Sequence, residues 1–242
     1  MNDRDAHVRR LMGAEILADR VDVPATAVQR LCQVAARLVP ASGAAVSVVA
    51  TDGIPQLLAA SDGIERPLNG LEQVTGAGPG LEAFATSQPV LVPDLDGVDP
   101  ARWPGYPAAA REAGVHAVFA FPLQVGTVRL GFFALFRTTP GPLAADELAW
   151  ALTLADSAVR LLLEDRAVAD DDTETATAAL PYHPEIFHAQ GMVMMQLGVS
   201  LNEALLRLRA YAFSTDQALV EVARAVVERR LRLDRQPEDP GS

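Results

Sequence analysis

The chain has 242 residues, carries 20 basic against 31 acidic side chains for a formal net charge of −11, and is half hydrophobic. That length suits two modest domains with buried cores, and the acidity excludes a protein coated for non-specific nucleic-acid binding. No apolar run approaches the ~20 residues that cross a bilayer. The N-terminal Met1-Asn2-Asp3-Arg4-Asp5 lacks a secretory pattern, so a cytoplasmic protein without membrane contact is expected. The lone cysteine, Cys32, excludes an internal disulfide framework and a cysteine-built zinc site. Every basic residue is arginine, and with abundant Ala, Val and Leu this composition points to a GC-rich genome. Charge is uneven along the chain: residues 1–180 hold 13 Arg and 23 Asp plus Glu, a net of −10, whereas residues 181–235 hold 7 and 6, a net of +1.

Residues 1–20 are polar and read as a frayed extension or a lead-in helix. Thr26 to Val39 predicts a helix, because Val28, Leu31, Cys32, Ala35 and Leu38 recur at three- and four-residue spacing and Pro40 stops the run. Ala44–Ala50 and Gln56–Ala60 read as a hairpin around Asp52-Gly53. Residues 62–89 are richer in Gly and polar groups. Gly76, Gly78, Pro79 and Gly80 form a turn, Leu81–Thr86 a short helix and Val90–Val92 a brief strand. Prolines at 93, 100, 104 and 107 predict a loop with at most helical turns, and Ala108–Ala113 a helix ended by Gly114. His116–Val125 and Val128–Arg137 read as two long strands joined at Gly126-Thr127.

From Ala144 to about Ala169 a long helix is expected. Leu148, Leu152, Ala155, Val159 and Leu162 step by four, three, four and three, a heptad seam. A second stripe, Ala151, Leu154, Ala158 and Leu161, widens the apolar face. One stripe suits the sheet and the other a partner chain, so a homodimer through the 144–169 helix is expected; burial of the whole helix on its own domain is the alternative. The acidic run 170–179 reads as a linker.

Three further helices follow. Pro184–Leu197 places Ile186, Ala189, Val193 and Leu197 on one face, with Gly198 as the terminating glycine. Ser200-Leu-Asn-Glu203 is a capping box opening a second helix through Tyr211, with Ala204, Leu205 and Leu208 inward. Thr215-Asp216 can cap a third, whose buried stripe is Leu219, Val222, Ala223, Val226 and Val227. Short loops force a compact bundle.

No catalytic or metal-binding constellation stands out. The Gly76–Gly80 cluster lacks the Lys-[Ser/Thr] of a phosphate loop, and His183 and His188 are five apart, not the four that puts two ligands on one helical face. A non-enzyme with no cofactor is expected. Trp103, Phe119, Phe121 and Phe133 either line a ligand pocket or fill a core.

The stretch from His188 to Ala212 resembles the ANTAR domain. The resemblance rests on Ala189, Gly191, Val193-Met194, Ser200, Ala204, Leu208-Arg209, Ala212, Leu219 and Val222-Ala223, which follow the family order without gaps. The preceding part resembles a GAF domain through Gly78-Pro-Gly-Leu-Glu-Ala83, Gln88-Pro-Val-Leu-Val-Pro-Asp-Leu95, Arg102-Trp103-Pro104, Ala120-Phe-Pro-Leu123 and Gly131-Phe-Phe-Ala-Leu-Phe136. The pairing is familiar from actinobacterial regulators. The resemblance implies an α+β GAF-like sensor domain, with a central antiparallel sheet flanked by helices, then a long helix and an all-α three-helix ANTAR bundle. The corresponding divisions are an N-terminal extension at 1–20, the sensor at 21–168, a linker at 169–180, the ANTAR domain at 181–235 and a disordered tail at 236–242.

The resemblance further implies a transcription antitermination regulator, in which a small-molecule or protein signal at the sensor controls a tail that stabilises a paired stem-loop in nascent RNA. Its RNA-binding residues would be Gln190, Gly191, Met194, Arg207, Arg209, Tyr211, Thr215 and Arg224. Gly191 in mid-helix invites close approach by RNA or by a neighbouring helix; relatives often carry lysine where Gln190 stands. Tyr211 suits base stacking or a half-buried core. Many relatives carry cysteine where Gly80 stands, which removes a cysteine-based redox sensor there. Two other readings remain at this point: a DNA-binding regulator with a helix-turn-helix-like tail, and a non-catalytic ligand-sensing protein whose tail makes protein contacts.

Overall fold

The structure, a computed structural model, describes residues 3–18, 26–50, 53–61, 71–171, 184–215 and 217–233. The chain divides into two compact units, Met1–Pro181 and Tyr182–Ser242. The acidic run from Asp172 and the tail at 236–242, with Asp52, His183 and Asp216, lie outside the described residues.

In the first unit the described elements are α1 (Asp3–Ala18), α2 (Ala27–Leu38), β1 (Gly43–Val49), β2 (Pro55–Ala60), α3 (Leu71–Thr75), α4 (Pro79–Thr86), β3 (Val90–Val92), α5 (Tyr106–Glu112), β4 (Ala117–Val125), β5 (Val128–Arg137) and α6 (Ala145–Asp171). The strands form one sheet in the order β2-β1-β5-β4-β3, with every pairing antiparallel. β4 and β5 read as nearly unbroken apolar runs because both faces of the sheet are buried. Successive side chains alternate between faces. Phe119, Phe121, Leu123, Phe133 and Leu135 pack with residues of α2 and α6, while Val118, Ala120, Phe132, Ala134 and Phe136 meet Ala83, Trp103, Tyr106 and Ala110 on the other side. Phe121 opposes Phe133 in register, with ring centroids 6.2 Å apart.

Local chemistry sets the boundaries. Thr26 caps α2, its side chain accepting from the Gln29 amide at 3.1 Å. α5 begins two residues before its expected start, at Tyr106, because Pro107 falls in the first turn, where its missing N–H is harmless. α3 was not expected: five residues carry no readable period, and tertiary bonds hold them. The Glu72 carboxylate accepts from the amides of Gly80 and Leu81, both at 2.8 Å, at the start of α4. The glycine cluster is therefore not a free turn. A Cβ at Gly78 would meet Glu72 Cγ, and one at Gly80 would overlap the Phe132 ring.

The long helix departs from the expected division of labour. Ala151, Leu154 and Ala158 are fully buried. Of the heptad seam, Ala155 and Leu162 also enter the core and Leu148 and Val159 pack against it, which leaves Leu152 exposed at 44%. α1 packs alongside: Val8 is buried, Asp5 pairs with Arg160 at 2.6 Å, and the His7 ring lies 5.6 Å from Trp150. The seam expected to meet a second chain is largely used within its own unit, because α2, α1 and the sheet surround the helix on more than one side.

The second unit contains α7 (Pro184–Leu197), α8 (Leu201–Ser214) and α9 (Leu219–Val227). Ile186, Ala189, Val193, Leu197, Ala204, Leu205, Leu208, Ala212, Leu219, Val222, Ala223 and Val226 are buried. Gly198, at φ +67°, turns the chain out of α7 and donates to the Met194 carbonyl at 2.9 Å. Ser200 caps α8 by accepting from the Glu203 amide at 3.2 Å, but the return bond of a full capping box is replaced by an ion pair between Glu203 and Arg207. Thr215 closes α8 instead of opening α9, donating its hydroxyl to the Tyr211 carbonyl at 2.8 Å, while Ala218 stands at the N-cap of α9.

Gly80→Ala is expected to lower unfolding stability by about 1–3 kcal/mol, the range for overpacking a filled core, read from the midpoint of denaturant unfolding.

Candidate functional site

The structure separates the eight residues expected at an RNA surface. Gln190 is buried at 5% exposure, and its Nε2 donates to the Leu201 carbonyl at 2.8 Å. That bond ties α7 to the start of α8, since Gln190, four residues after Ile186 and three before Val193, stands on the inward stripe. Arg207 pairs with Glu203 on its own helix at 2.9 Å. Arg224 reaches Glu185 at 3.2 Å and fastens α9 to α7. Thr215 is engaged with the end of α8. Met194, Arg209 and Tyr211 are each half-buried.

Gly191 is different. It opens onto a groove of about 1000 Å³ whose walls come from α7 and from the turn after α9. A Cβ at Gly191 would meet nothing within 4 Å, so no neighbouring helix requires the glycine. Phe187, Gly191 and Met195 line the groove at four-residue spacing along one face of α7. Val227 and Leu231 add apolar wall, and Arg229 and Arg232 bring positive charge. Both arginines are exposed and have no ion pair among the described residues. Met195 is 78% exposed. Apolar faces beside arginine are what splayed bases and their phosphates require.

The four aromatic residues considered for a sensor pocket do not converge. Phe119, Phe121 and Phe133 lie in the core between the sheet and α2 and α6, and Trp103 lies in the core on the opposite face. All four are buried, and the sheet separates them, so they are structural rather than the walls of one cavity. Trp103 Nε1 donates to Glu82 at 2.9 Å, Arg102 forks onto the same carboxylate, and the Arg102 guanidinium stacks 4.4 Å from the Trp103 ring centre. This closes the proline-rich loop onto α4.

The GAF domain family model matches residues 24–162. The chain belongs to the GAF domain family. An ANTAR domain model matches residues 174–227, so a GAF domain and an ANTAR domain stand in one chain, the arrangement of a regulator with a sensor. Both are regulatory, non-catalytic domains. Among solved structures, the chain is similar to the GAF domain of a phosphoenolpyruvate-protein phosphotransferase from Coxiella burnetii, at 20% identity over 70% of this chain and 99% of that one, with a TM-score of 0.49. The corresponding GAF domain from Acinetobacter matches at 12% identity over 70% and 99%, with a TM-score of 0.48. The phycocyanobilin-bound GAF domain of a cyanobacterial phytochrome matches at 16% over 68% and 98%, also at 0.48. No curated protein matches the chain. Among the described residues no helix is long and apolar enough to cross a membrane, and no cluster of His, Cys, Asp and Glu is placed to hold a metal ion.

Within the GAF domain one ionisable group stands out. Burial of the Glu72 carboxyl pushes it up to about 7 from an ordinary 4.5, against the opposing pull of the Gly80 and Leu81 amides. Tyr106 is buried beside it and raised in turn, first by burial and then by the Glu72 charge. Between about 4.5 and about 7 the folded protein keeps a proton on Glu72 that the unfolded chain has released. This contribution to stability is therefore present at the acid end and is lost as pH rises through that window. Glu82 behaves oppositely, since Arg102 holds it below its ordinary value, so its contribution is lost only at lower pH. Glu72→Gln is expected to flatten the fall of stability across the Glu72 window, measured as unfolding midpoints of both proteins at its two ends.

Proposed function

We propose that this protein is an RNA-binding transcription antitermination regulator of the cytoplasm, in which the GAF domain receives a small-molecule or protein signal and the ANTAR domain stabilises a paired stem-loop in nascent RNA. The observation that carries the reading is the ANTAR match at 174–227 on a three-helix unit whose Gly191 face opens into an apolar groove edged by two exposed arginines. An antiterminator hairpin and the terminator that follows compete for the same RNA strand, so a protein that binds only the former shifts the choice by its differential affinity. Two loops in one RNA call for two tails, hence a homodimer, with linkage of two weak contacts raising overall affinity.

The expected RNA residues narrow to Gly191, Met194, Arg209 and Tyr211, joined by Arg229 and Arg232. Gln190, Arg207, Thr215 and Arg224 hold the helices in place. The start of α9 does not favour a DNA reader: its exposed face carries the acidic Glu221, and its first arginine, Arg224, is paired with Glu185, so it lacks free positive charge for the phosphates.

In a reconstituted transcription reaction, the full chain should raise readthrough of a terminator preceded by paired hairpin loops. The gain should vanish when the loop bases are changed. Unchanged readthrough, together with tighter binding to duplex DNA than to hairpin RNA, would overturn the reading.

A further inference from the structure

The first unit carries a cleft of its own between α1 and α6. Asp3, Arg4, His7 and Arg10 of α1 and Trp150 of α6 line about 460 Å³, a volume that suits a small molecule. The chain is acidic overall, at −11, yet here two arginines and a histidine outnumber one carboxylate. Cations gathered on one helix at three-residue intervals repel each other. Among the described residues neither Arg4 nor Arg10 forms an ion pair, and the adjacent Asp5 is taken by Arg160 at 2.6 Å. The cleft also joins α6 to a helix outside the stretch matched to the GAF model, which begins at residue 24.

Arg4 is arranged for an anion before one arrives. Its guanidinium carbon lies over the Trp150 ring, 5.4 Å from the centre, and the His7 ring lies 5.6 Å from the same indole. Stacking on an aromatic ring uses the face of a guanidinium and leaves its N–H edge to donate. That edge matches two oxygens of one phosphate. Arg10 stands six residues on, about 9 Å further along the helix axis. A chain of phosphates spans that interval better than a single one.

We propose that this cleft binds a small polyphosphate-bearing anion, with Arg4 holding one phosphate and Arg10 another, and that the bound anion fastens α1 to α6. Trp150 fixes the Arg4 guanidinium, and His7 adds a donor between the two arginines. RNA binding at the second unit stands or falls separately.

The test titrates the full chain with inorganic phosphate, pyrophosphate and tripolyphosphate and follows tryptophan fluorescence. The other tryptophan, Trp103, is buried in a core and bonded to Glu82, so the change should come from Trp150 and disappear in Trp150→Phe. Tripolyphosphate should bind about tenfold tighter than inorganic phosphate, the worth of one more charge-assisted contact. Arg10→Ala should remove most of that difference, and Arg4→Ala should weaken the binding of all three. Arg9→Ala is the control, because Arg9 is exposed on the same helix and does not line the cleft; it should leave the affinities unchanged. Circular dichroism should show the same helical signal in each variant. If Arg4→Ala loses α1, Arg10→Ala still decides, since Arg10 makes no contact with the indole ring among the described residues.

Equal losses in Arg9→Ala and Arg10→Ala would reduce the binding to diffuse charge attraction and overturn the inference. Citrate bound as tightly as tripolyphosphate would overturn the phosphate assignment. The absence of a saturable fluorescence change with all three phosphates would overturn the site itself.

Discussion

The small interior of the ANTAR bundle governs how its surface is made. Helices of fourteen, fourteen and nine residues enclose too little volume to bury all their apolar side chains. The interior is accordingly lined with small residues, Ala189, Ala204, Ala212 and Ala223, which let the helices approach, and with single aliphatic layers between them. Met195, Leu206 and Phe213 are left more than half exposed. With so little burial to fix geometry, polar joints set the helix positions: Gln190 to the Leu201 carbonyl, Arg224 to Glu185, and the Ser200 cap. The same economy leaves Gly191 facing an open groove. The open groove thus arises where the bundle lacks material.

The GAF domain follows the opposite rule. Its sheet is covered on both faces, and its aromatic side chains are divided between two cores. Strong ties then lock the loops around α4: Glu72 on the amides of Gly80 and Leu81, and Glu82 gripping Arg102 and Trp103. Gly78 and Gly80 are dictated by those contacts, since any larger residue would collide with Glu72 or Phe132.

Much of this was legible in the sequence. Unbroken apolar runs announced β4 and β5, period-3.6 stripes announced α2, α7, α8 and α9, and Thr26 and Ser200 marked helix starts. α3 was not legible, since five residues hold no period and its anchor is a bond to an element eight residues on. Trp103 was grouped with Phe119, Phe121 and Phe133 because residue type says nothing about which side of a sheet a loop covers. The spacing of two places Phe119 and Phe121 on one face of β4, and the register opposite Phe121 brings Phe133 to the same face.

Gln190 was legible in retrospect. Its spacing from Ile186 and Val193 puts it inward, although its polarity suggested a surface role. The groove was legible in the same way, as Phe187, Gly191 and Met195 at intervals of four, but its far wall comes from the turn after α9. Only the fold brings Arg229 and Arg232 to it. The heptad seam on α6 misled because a repeat of that kind serves equally for a partner chain and for a helix surrounded within its own domain.

On the proposed function, RNA sits on the Gly191 face of the ANTAR domain. Methionine methyl groups report on it directly, because Met192 and Met195 line the groove while Met12 packs against the core of the GAF unit. Titrating methyl-labelled full-length protein with hairpin RNA and following these resonances by NMR should shift Met192 and Met195 saturably and leave Met12 unmoved. Saturable RNA binding with Met192 and Met195 unshifted would contradict the account.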